Sequence, residues 1–168
     1  MLSRLFIFSV KRMSLKNYST GIPTPKTIME IEDILSRHKA TDIWKQYDSN
    51  GNIIALNFAI NTDFGKMPFK LPINIEAVQQ ILKNEKRDKK LNLSKTQVND
   101  YHVAQRIAWR IMKDWIDAQM ALVDIAMVKL EQVFLPYAYD FNKQQSLYDS
   151  FKERKFAGML MDGTQHRE

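Results

Sequence analysis

The amino-acid sequence predicts an α+β fold: a helix, a three-stranded antiparallel β-meander, a short helix, a long central helix and a C-terminal helix. Apolar residues recur every three or four positions near the start of the chain and again along its middle, as in amphipathic helices. Between these regions lie alternating apolar residues and an Asn50-Gly51 pair, the strongest short signal for a β-hairpin. A sheet with one apolar face must be covered by helices, which gives the α+β class.

The first helix is predicted over Pro25–His38. A proline is accepted in the first turn of a helix because its missing N–H would have no partner there. Thr27 and Glu30 have the spacing of a capping box. Isoleucines and a leucine then repeat at helical spacing, and basic residues follow near the helix end, where they complement the helix dipole.

Three strands are predicted over residues 43–47, 52–61 and 66–73. The second strand alternates apolar and polar residues, so one face of the sheet is apolar. Residues 48–52 also imitate the start of a calcium loop, but Ile53 stands where that loop needs a glycine. We therefore expect a hairpin turn there.

After the sheet, the sequence predicts a short helix over residues 75–82 and a charged connecting loop over residues 84–95. A long helix follows at about residues 98–127, and a C-terminal helix at about residues 142–155. The polar stripe of the long helix is narrow, so we expect this helix to be central in the fold. Its wide apolar surface also predicts contact with a second copy of the chain, as a homodimer, or with another protein.

The composition is that of one globular domain with appendages at both ends. The chain has 168 residues, of which 45% are hydrophobic and 26% charged. We expect a flexible basic segment over residues 1–21, an α+β domain over residues 22–137, and a C-terminal helix and tail over residues 138–168. Residues 1–29 carry five cations and no acid, which fits a mitochondrial presequence or an extension upstream of a start at Met13.

The composition also excludes several classes of site. The chain has no cysteine, which excludes disulfide scaffolds, thiolate metal sites and cysteine nucleophiles. Its five glycines are isolated, so there is no glycine-rich phosphate loop. The three histidines lack a second histidine at metal-binding spacing, and no apolar run is long enough to span a bilayer. We therefore expect no cofactor, no metal, no membrane partner and no catalytic residue.

Carboxylates on the long helix are interpreted as ion-pair partners. Asp114 and Asp117 share one helical face, a geometry that acid–base catalysis also uses. Arg110 and Lys113 each precede one of them by four residues, which is the ordinary spacing of ion pairs on a helix surface. We therefore expect the pairs Arg110–Asp114 and Lys113–Asp117.

The uneven charge is the feature with the most direct functional consequence. The net charge is +6, and residues 83–113 carry nine cations against three acids. A basic stretch of this kind neutralises phosphates and gives salt-dependent binding to nucleic acid. The alternative is a solvated loop between two helices. The predicted nucleic-acid-binding residues are Lys86, Arg87, Lys89, Lys90, Lys95, Arg106 and Arg110.

Two segments on either side of the predicted sheet carry a resemblance to a known family. The first runs from Ile22 to Ala40 and contains Glu30-Ile31-Glu32-Asp33-Ile34-Leu35. The second runs from Ala108 to Tyr137 and contains Ala108-Trp109-Arg110, Lys113-Asp114-Trp115 and Val133-Phe134-Leu135-Pro136-Tyr137. With the meander between them, residues 22–137 resemble an uncharacterised family of small proteins encoded by tailed bacteriophages and prophages. These motifs are helix-packing patterns, so the resemblance implies a viral context and assigns no functional residues.

Sequence and resemblance together predict a small, non-enzymatic, phage-encoded accessory protein that binds nucleic acid. The order helix, three strands, helix is also similar to that of double-stranded-RNA-binding domains, by analogy of topology alone. The alternative is a protein-interaction module that modulates a host protein, for example a defence component. We expect the cytoplasm of a bacterial host as the location, or the mitochondrial matrix if the N-terminus is a presequence.

Overall fold

A computed structural model describes residues 14–160 of the chain and shows the α+β architecture that the sequence predicts. In chain order the helices are α1 (Thr24–Arg37), α2 (Ile75–Arg87), α3 (Lys95–Asn99), α4 (Tyr101–Asp124), α5 (Leu130–Phe134) and α6 (Leu147–Glu153). A single turn of 3-10 helix follows α5 at Leu135–Tyr137. The strands are β1 (Ala40–Tyr47), β2 (Ile53–Thr62), β3 (Gly65–Lys70), β4 (Tyr139–Asp140) and β5 (Gln145–Ser146).

The first three strands form the predicted antiparallel meander, in the order β1-β2-β3. In the first turn, the Asp48 carboxylate accepts hydrogen bonds from the backbone N–H groups of Asn50 (2.9 Å) and Asn52 (2.8 Å). The side-chain amide of Asn52 also donates to this carboxylate, and these bonds hold the pKa of Asp48 below its ordinary value. Gly51 adopts a φ of 78°, which a glycine reaches without strain. The predicted hairpin is confirmed.

The start of α1 differs from the prediction. Pro23 is the N-cap, and no side chain caps the helix. The Thr27 hydroxyl is buried instead, and the Glu30 carboxylate lies 2.5 Å from a guanidinium nitrogen of Arg110 on α4. The capping-box prediction is wrong because Thr27 lies in the interior and Glu30 faces α4, so neither side chain turns back to the helix end.

The long helix α4 is central, as its narrow polar stripe predicts, and it contributes to two hydrophobic clusters. Trp109 and Ile116 are fully buried against α1 and the sheet. Ala104 and Ile107 are fully buried against α2. A single copy of the chain therefore covers the apolar surface of α4 along most of its length, and the large apolar side chain that α4 leaves exposed is Leu122 near its end.

The predicted charged loop after the sheet is partly helical, because α2 includes residues 84–87 and α3 begins at Lys95. α2 extends to Arg87, five residues past its predicted end, because Lys, Glu and Arg are good helix formers and Glu85 faces the interior. A further short helix, α3, begins after Ser94, whose hydroxyl accepts a hydrogen bond from the N–H of Gln97 in a capping box. α4 consequently begins three residues later than predicted.

Residues 14–21, for which the sequence predicts a flexible segment, pack against helices. Leu15 and Tyr18 contact the hydrophobic cluster between α2 and α4. The backbone N–H of Leu15 also donates to the Glu85 carboxylate at 3.0 Å. The apolar side chains of this stretch thus lie between two helices, and the flexibility of residues 14–21 stays a prediction. The interpretations of residues 1–13 as a presequence or as an upstream extension lie outside the described residues.

The C-terminal helix is shorter than predicted. α6 covers Leu147–Glu153, and the residues before it form a small hairpin of β4 and β5. The Asp140 carboxylate accepts hydrogen bonds from the N–H groups of Asn142 and Lys143, which fixes a turn where the sequence predicted a helix start. Aspartate favours such turns because its short side chain bonds to the backbone that follows it.

Candidate nucleic-acid interface

Five of the predicted nucleic-acid-binding residues lie together at the end of α2. Lys86 and Arg87 are in the last turn of α2, and Lys89 and Lys90 lie in the turn that ends this helix. Lys95 is the first residue of α3. α2 and α3 are in contact, and the Gln79 side chain of α2 donates to the carbonyl of Asn99 at 2.9 Å. We call this region the α2 basic surface; its residues are Lys86, Arg87, Lys89, Lys90 and Lys95.

The backbone holds this surface in an ordered helix end. The N–H of Lys90 donates to the carbonyl of Glu85 at 2.9 Å, and the N–H of Lys89 donates to the carbonyl of Lys86 at 3.1 Å. This pair of bonds is a Schellman motif, in which one residue takes a left-handed conformation. Lys89 occupies that position with a φ of 57°. The lysines therefore project from a defined turn and not from a long loop.

The acids within this stretch neutralise little of its charge. Glu85 is buried and accepts the backbone N–H of Leu15 described above. Asp88 lies 3.8 Å from Arg87 and 3.7 Å from Lys90, which are long contacts between exposed groups. Among the described residues, three members of the surface have no carboxylate within 4.0 Å; these are Lys86, Lys89 and Lys95.

Arg110 lies away from the α2 basic surface and has a structural partner. Its guanidinium pairs with the Glu30 carboxylate at 2.5 Å, and the two side chains are 19% and 31% exposed. This ion pair joins α4 to α1. The predicted pair between Arg110 and Asp114 does not form, because Glu30 lies closer to the guanidinium; the predicted Lys113–Asp117 pair does form.

Asp114 is held by the packed N-terminal segment. Its carboxylate accepts a hydrogen bond from the Asn17 amide at 3.0 Å and lies 3.0 Å from the Lys16 ammonium. Burial alone would raise the pKa of Asp114. The hydrogen bonds from Asn17 and Lys16, together with the charges of Lys16 and Arg110, outweigh burial and lower the pKa. Asp114 therefore stays ionised and helps to fix residues 14–21 on α4.

Arg106 is also separate from the α2 basic surface. Val103, Ala104 and Ile107 are the residues of this part of α4 that pack against α2. Arg106 projects from another face of the helix and lines a cavity bounded by α1, β1 and the start of α4. The structure thus brings together five of the seven predicted residues and places Arg106 and Arg110 elsewhere.

The aromatic residues near this surface are packed in the interior. Tyr101, the nearest candidate for base stacking, contacts the cluster between α2 and α4, and burial raises its pKa. Trp109 is fully buried, and Trp44 packs beside Phe141 with ring centres 5.5 Å apart. The chemistry that the α2 basic surface presents is therefore that of ammonium and guanidinium groups, which contact phosphates.

The part of the chain that the structure describes contains no group of three or more His, Asp or Glu side chains that could hold a metal ion. No helix between residues 14 and 160 is both long enough and apolar enough to cross a membrane. His38 lies 2.9 Å from the Asp124 carboxylate and joins α1 to the end of α4, His102 is exposed, and His166 lies outside the described residues.

Comparisons of the chain with models of protein families, with curated proteins and with solved structures each find no match. The resemblance to a phage-encoded family and the analogy with double-stranded-RNA-binding domains therefore stay predictions. The same holds for the expected cellular location and for a host-protein partner. A homodimer stays a prediction too, but the apolar surface that suggested it is largely covered within one chain.

Proposed function

We propose that this protein binds nucleic acid through the α2 basic surface, as an accessory protein without catalytic activity. The observation that supports the proposal is the concentration of four cations at the ordered end of α2, beside an acid that is turned inward, with a fifth cation at the start of α3. The Arg87 side chain is 76% exposed and the Lys90 side chain 37% exposed, so their charged ends are accessible to a large partner.

The expected contacts are with the phosphate backbone. Cations that touch phosphates release condensed counterions, and the affinity then falls steeply as the salt concentration rises. Phosphate contacts by themselves carry no base-sequence information. Since the α2 basic surface itself contains no aromatic residue, we expect binding that depends on salt and on strand geometry but little on base sequence.

The test is fluorescence anisotropy of the full chain with single-stranded DNA, duplex DNA and duplex RNA of equal length. If all five cations contact duplex DNA, the slope of log affinity against log salt approaches about −4.5. Affinity would then fall several hundredfold between about 50 and about 200 mM salt. The order of the three affinities identifies the preferred nucleic acid. Absence of binding at low salt would reject the proposal.

Two charge-reversal variants with equal net charge separate a local surface from a general charge effect. The first changes four members of the α2 basic surface to glutamate; these are Lys86, Arg87, Lys89 and Lys90. The second changes four exposed cations of the C-terminal region; these are Lys143, Lys152, Arg154 and Lys155. We expect the first variant to lose binding and the second to retain most of it. Equal losses in both would mean that net charge alone causes the binding.

A second control addresses the fold. Glutamates at the end of α2 oppose the helix dipole and can weaken the helix. The same four residues are therefore also changed to glutamine, and circular dichroism checks that each variant keeps its helix content. A glutamine variant that is folded and still binds like the natural chain would contradict the proposal.

A further inference from the structure

A cavity lined by both polar and apolar residues lies where α1, β1 and the start of α4 meet. Its volume is about 630 Å³, within the usual range for small-molecule sites. The lining includes the cations Lys45 and Arg106, also includes His102, and contains no aspartate or glutamate. None of the five residues of the α2 basic surface lines it, so an inference about this cavity does not depend on the function proposed above.

Arg106 supplies an uncompensated positive charge to this cavity. Among the described residues, no carboxylate lies within 4.0 Å of its guanidinium, and its Nε is buried without a hydrogen-bond partner. The neighbouring cations differ: Arg110 pairs with Glu30, and Lys45 pairs with Glu32 at 2.7 Å. A partly buried charge without a partner is costly, and an anion bound beside Arg106 would offset that cost. A guanidinium also matches the geometry of phosphate and carboxylate oxygens.

The start of α1 adds to the positive potential. Thr24 and Pro25 line the cavity, and α1 has neither a side-chain cap nor an acid in its first turn. The first N–H groups of a helix have no partner within it, and the helix dipole favours an anion there. The start of α1 therefore favours an anion in the same cavity that Arg106 lines.

The remaining lining suits a flat organic group. Tyr47 is 58% exposed and Met29 is 68% exposed at the cavity, so both offer apolar surface to a ligand. The Asn52 amide donates to Asp48, and the Gln105 amide donates to the carbonyl of Ile53. These bonds fix both amides and leave their oxygens to accept hydrogen bonds from a ligand.

We propose that this cavity binds a small molecule that joins a phosphate group to a planar ring, of the nucleoside monophosphate class. The phosphate lies beside Arg106, near the start of α1. The ring packs on Tyr47, and an N–H group of the base, either an amino group or a ring N–H, donates to Asn52 or Gln105.

The test is a titration of the full chain, labelled with nitrogen-15, with adenosine monophosphate and uridine monophosphate, followed by amide chemical shifts. We expect saturable binding, with shift changes concentrated at Gly51, Asn52 and Gln105. Adenosine lacks the phosphate and inorganic phosphate lacks the ring, so each binds at least about tenfold more weakly. No saturation by either nucleotide up to about 5 mM, or changes concentrated at the α2 basic surface, would overturn the proposal.

Variants identify the residues involved. Arg106→Gln is expected to weaken adenosine monophosphate binding at least about tenfold. The matched control is Arg37→Gln, because Arg37 is exposed at the far end of α1 and its loss leaves the affinity within about twofold. Tyr47→Ala changes a side chain that is 58% exposed, and it reduces the affinity about fivefold or more by removing the stacking surface. Unchanged binding in the folded Arg106 or Tyr47 variant would reject the assignment.

Discussion

Lys89 combines an unfavourable backbone conformation with an exposed charge. Its φ of 57° lies in the left-handed region, which costs a residue with a side chain about 1–2 kcal/mol and costs glycine little. We therefore expect Lys89→Gly to raise the free energy of unfolding in urea by about 0.5–1 kcal/mol. If the α2 basic surface binds nucleic acid, the same variant weakens binding and makes the salt slope shallower by about one unit.

Lys39 provides the matched control for Lys89. It also has a positive φ, 70°, at the end of α1, but it lies outside the α2 basic surface. Lys39→Gly is expected to raise stability and to leave nucleic-acid binding unchanged. Equal effects of the two substitutions on binding would argue against a role for Lys89 at that surface.

Asp114 is expected to make stability depend on pH in the acid range. Its pKa is lower in the folded chain than its ordinary value of 3.8, so ionised Asp114 stabilises the fold above about pH 4. That stability is lost as the pH falls through the lowered pKa. At pH 7 we expect Asp114→Asn to reduce the free energy of unfolding by about 0.5–1 kcal/mol, and the difference to shrink below pH 4. Asp63→Asn, on an exposed turn, is the control, and thermal unfolding at several pH values measures both.

The ion pair between Arg110 and Glu30 stabilises the contact of α1 with α4. Because both side chains are partly buried, removal of one leaves the other charge poorly solvated. We expect Arg110→Gln to destabilise the chain by about 1–3 kcal/mol, and the double variant with Glu30→Gln to recover part of that loss. Urea unfolding of the four proteins gives the coupling energy. A coupling near zero would mean that the pair contributes only through packing.

At the scale of single elements, the first hairpin depends on one side chain. Asp48 accepts two backbone hydrogen bonds and one from the side chain of Asn52. Asp48→Ala removes all three acceptor contacts and is expected to cost about 1–3 kcal/mol of unfolding free energy. The matched control in the second hairpin is Asp63→Ala, because the Asp63 side chain accepts no hydrogen bond among the described residues. Similar losses in thermal unfolding from both variants would contradict this role of Asp48.

At the scale of the whole molecule, α4 couples two clusters into one folding unit. Ile116 is fully buried against α1 and the sheet, and Ile107 is fully buried against α2. Since both residues are on one helix, we expect Ile107→Ala and Ile116→Ala each to lower global stability by about 2–5 kcal/mol. Circular dichroism and tryptophan fluorescence should report the same single transition in urea. Separate transitions for the two probes would show that the clusters unfold independently.

The sequence by itself determined the local features of this protein. The Asn50-Gly51 pair requires a turn, the alternation around it requires a sheet with one apolar face, and the narrow polar stripe of residues 98–127 requires a central helix. The cluster of cations at the end of α2 was also visible, because these residues are close in the chain. Each of these features depends on neighbours a few positions apart.

Only the tertiary structure decided the partners of the charged side chains. The spacing of Thr27 and Glu30 predicts that Glu30 is part of a capping box. In the structure, the Glu30 carboxylate pairs with Arg110, which is 80 residues away in the chain. Arg106 and Arg110 lie one helical turn apart and look alike in sequence. Arg110 is neutralised by Glu30 of α1, whereas Arg106 lines a cavity. The cavity itself is assembled from three distant parts of the chain. The energy of a charge depends on what surrounds it in three dimensions, and sequence spacing does not contain that information.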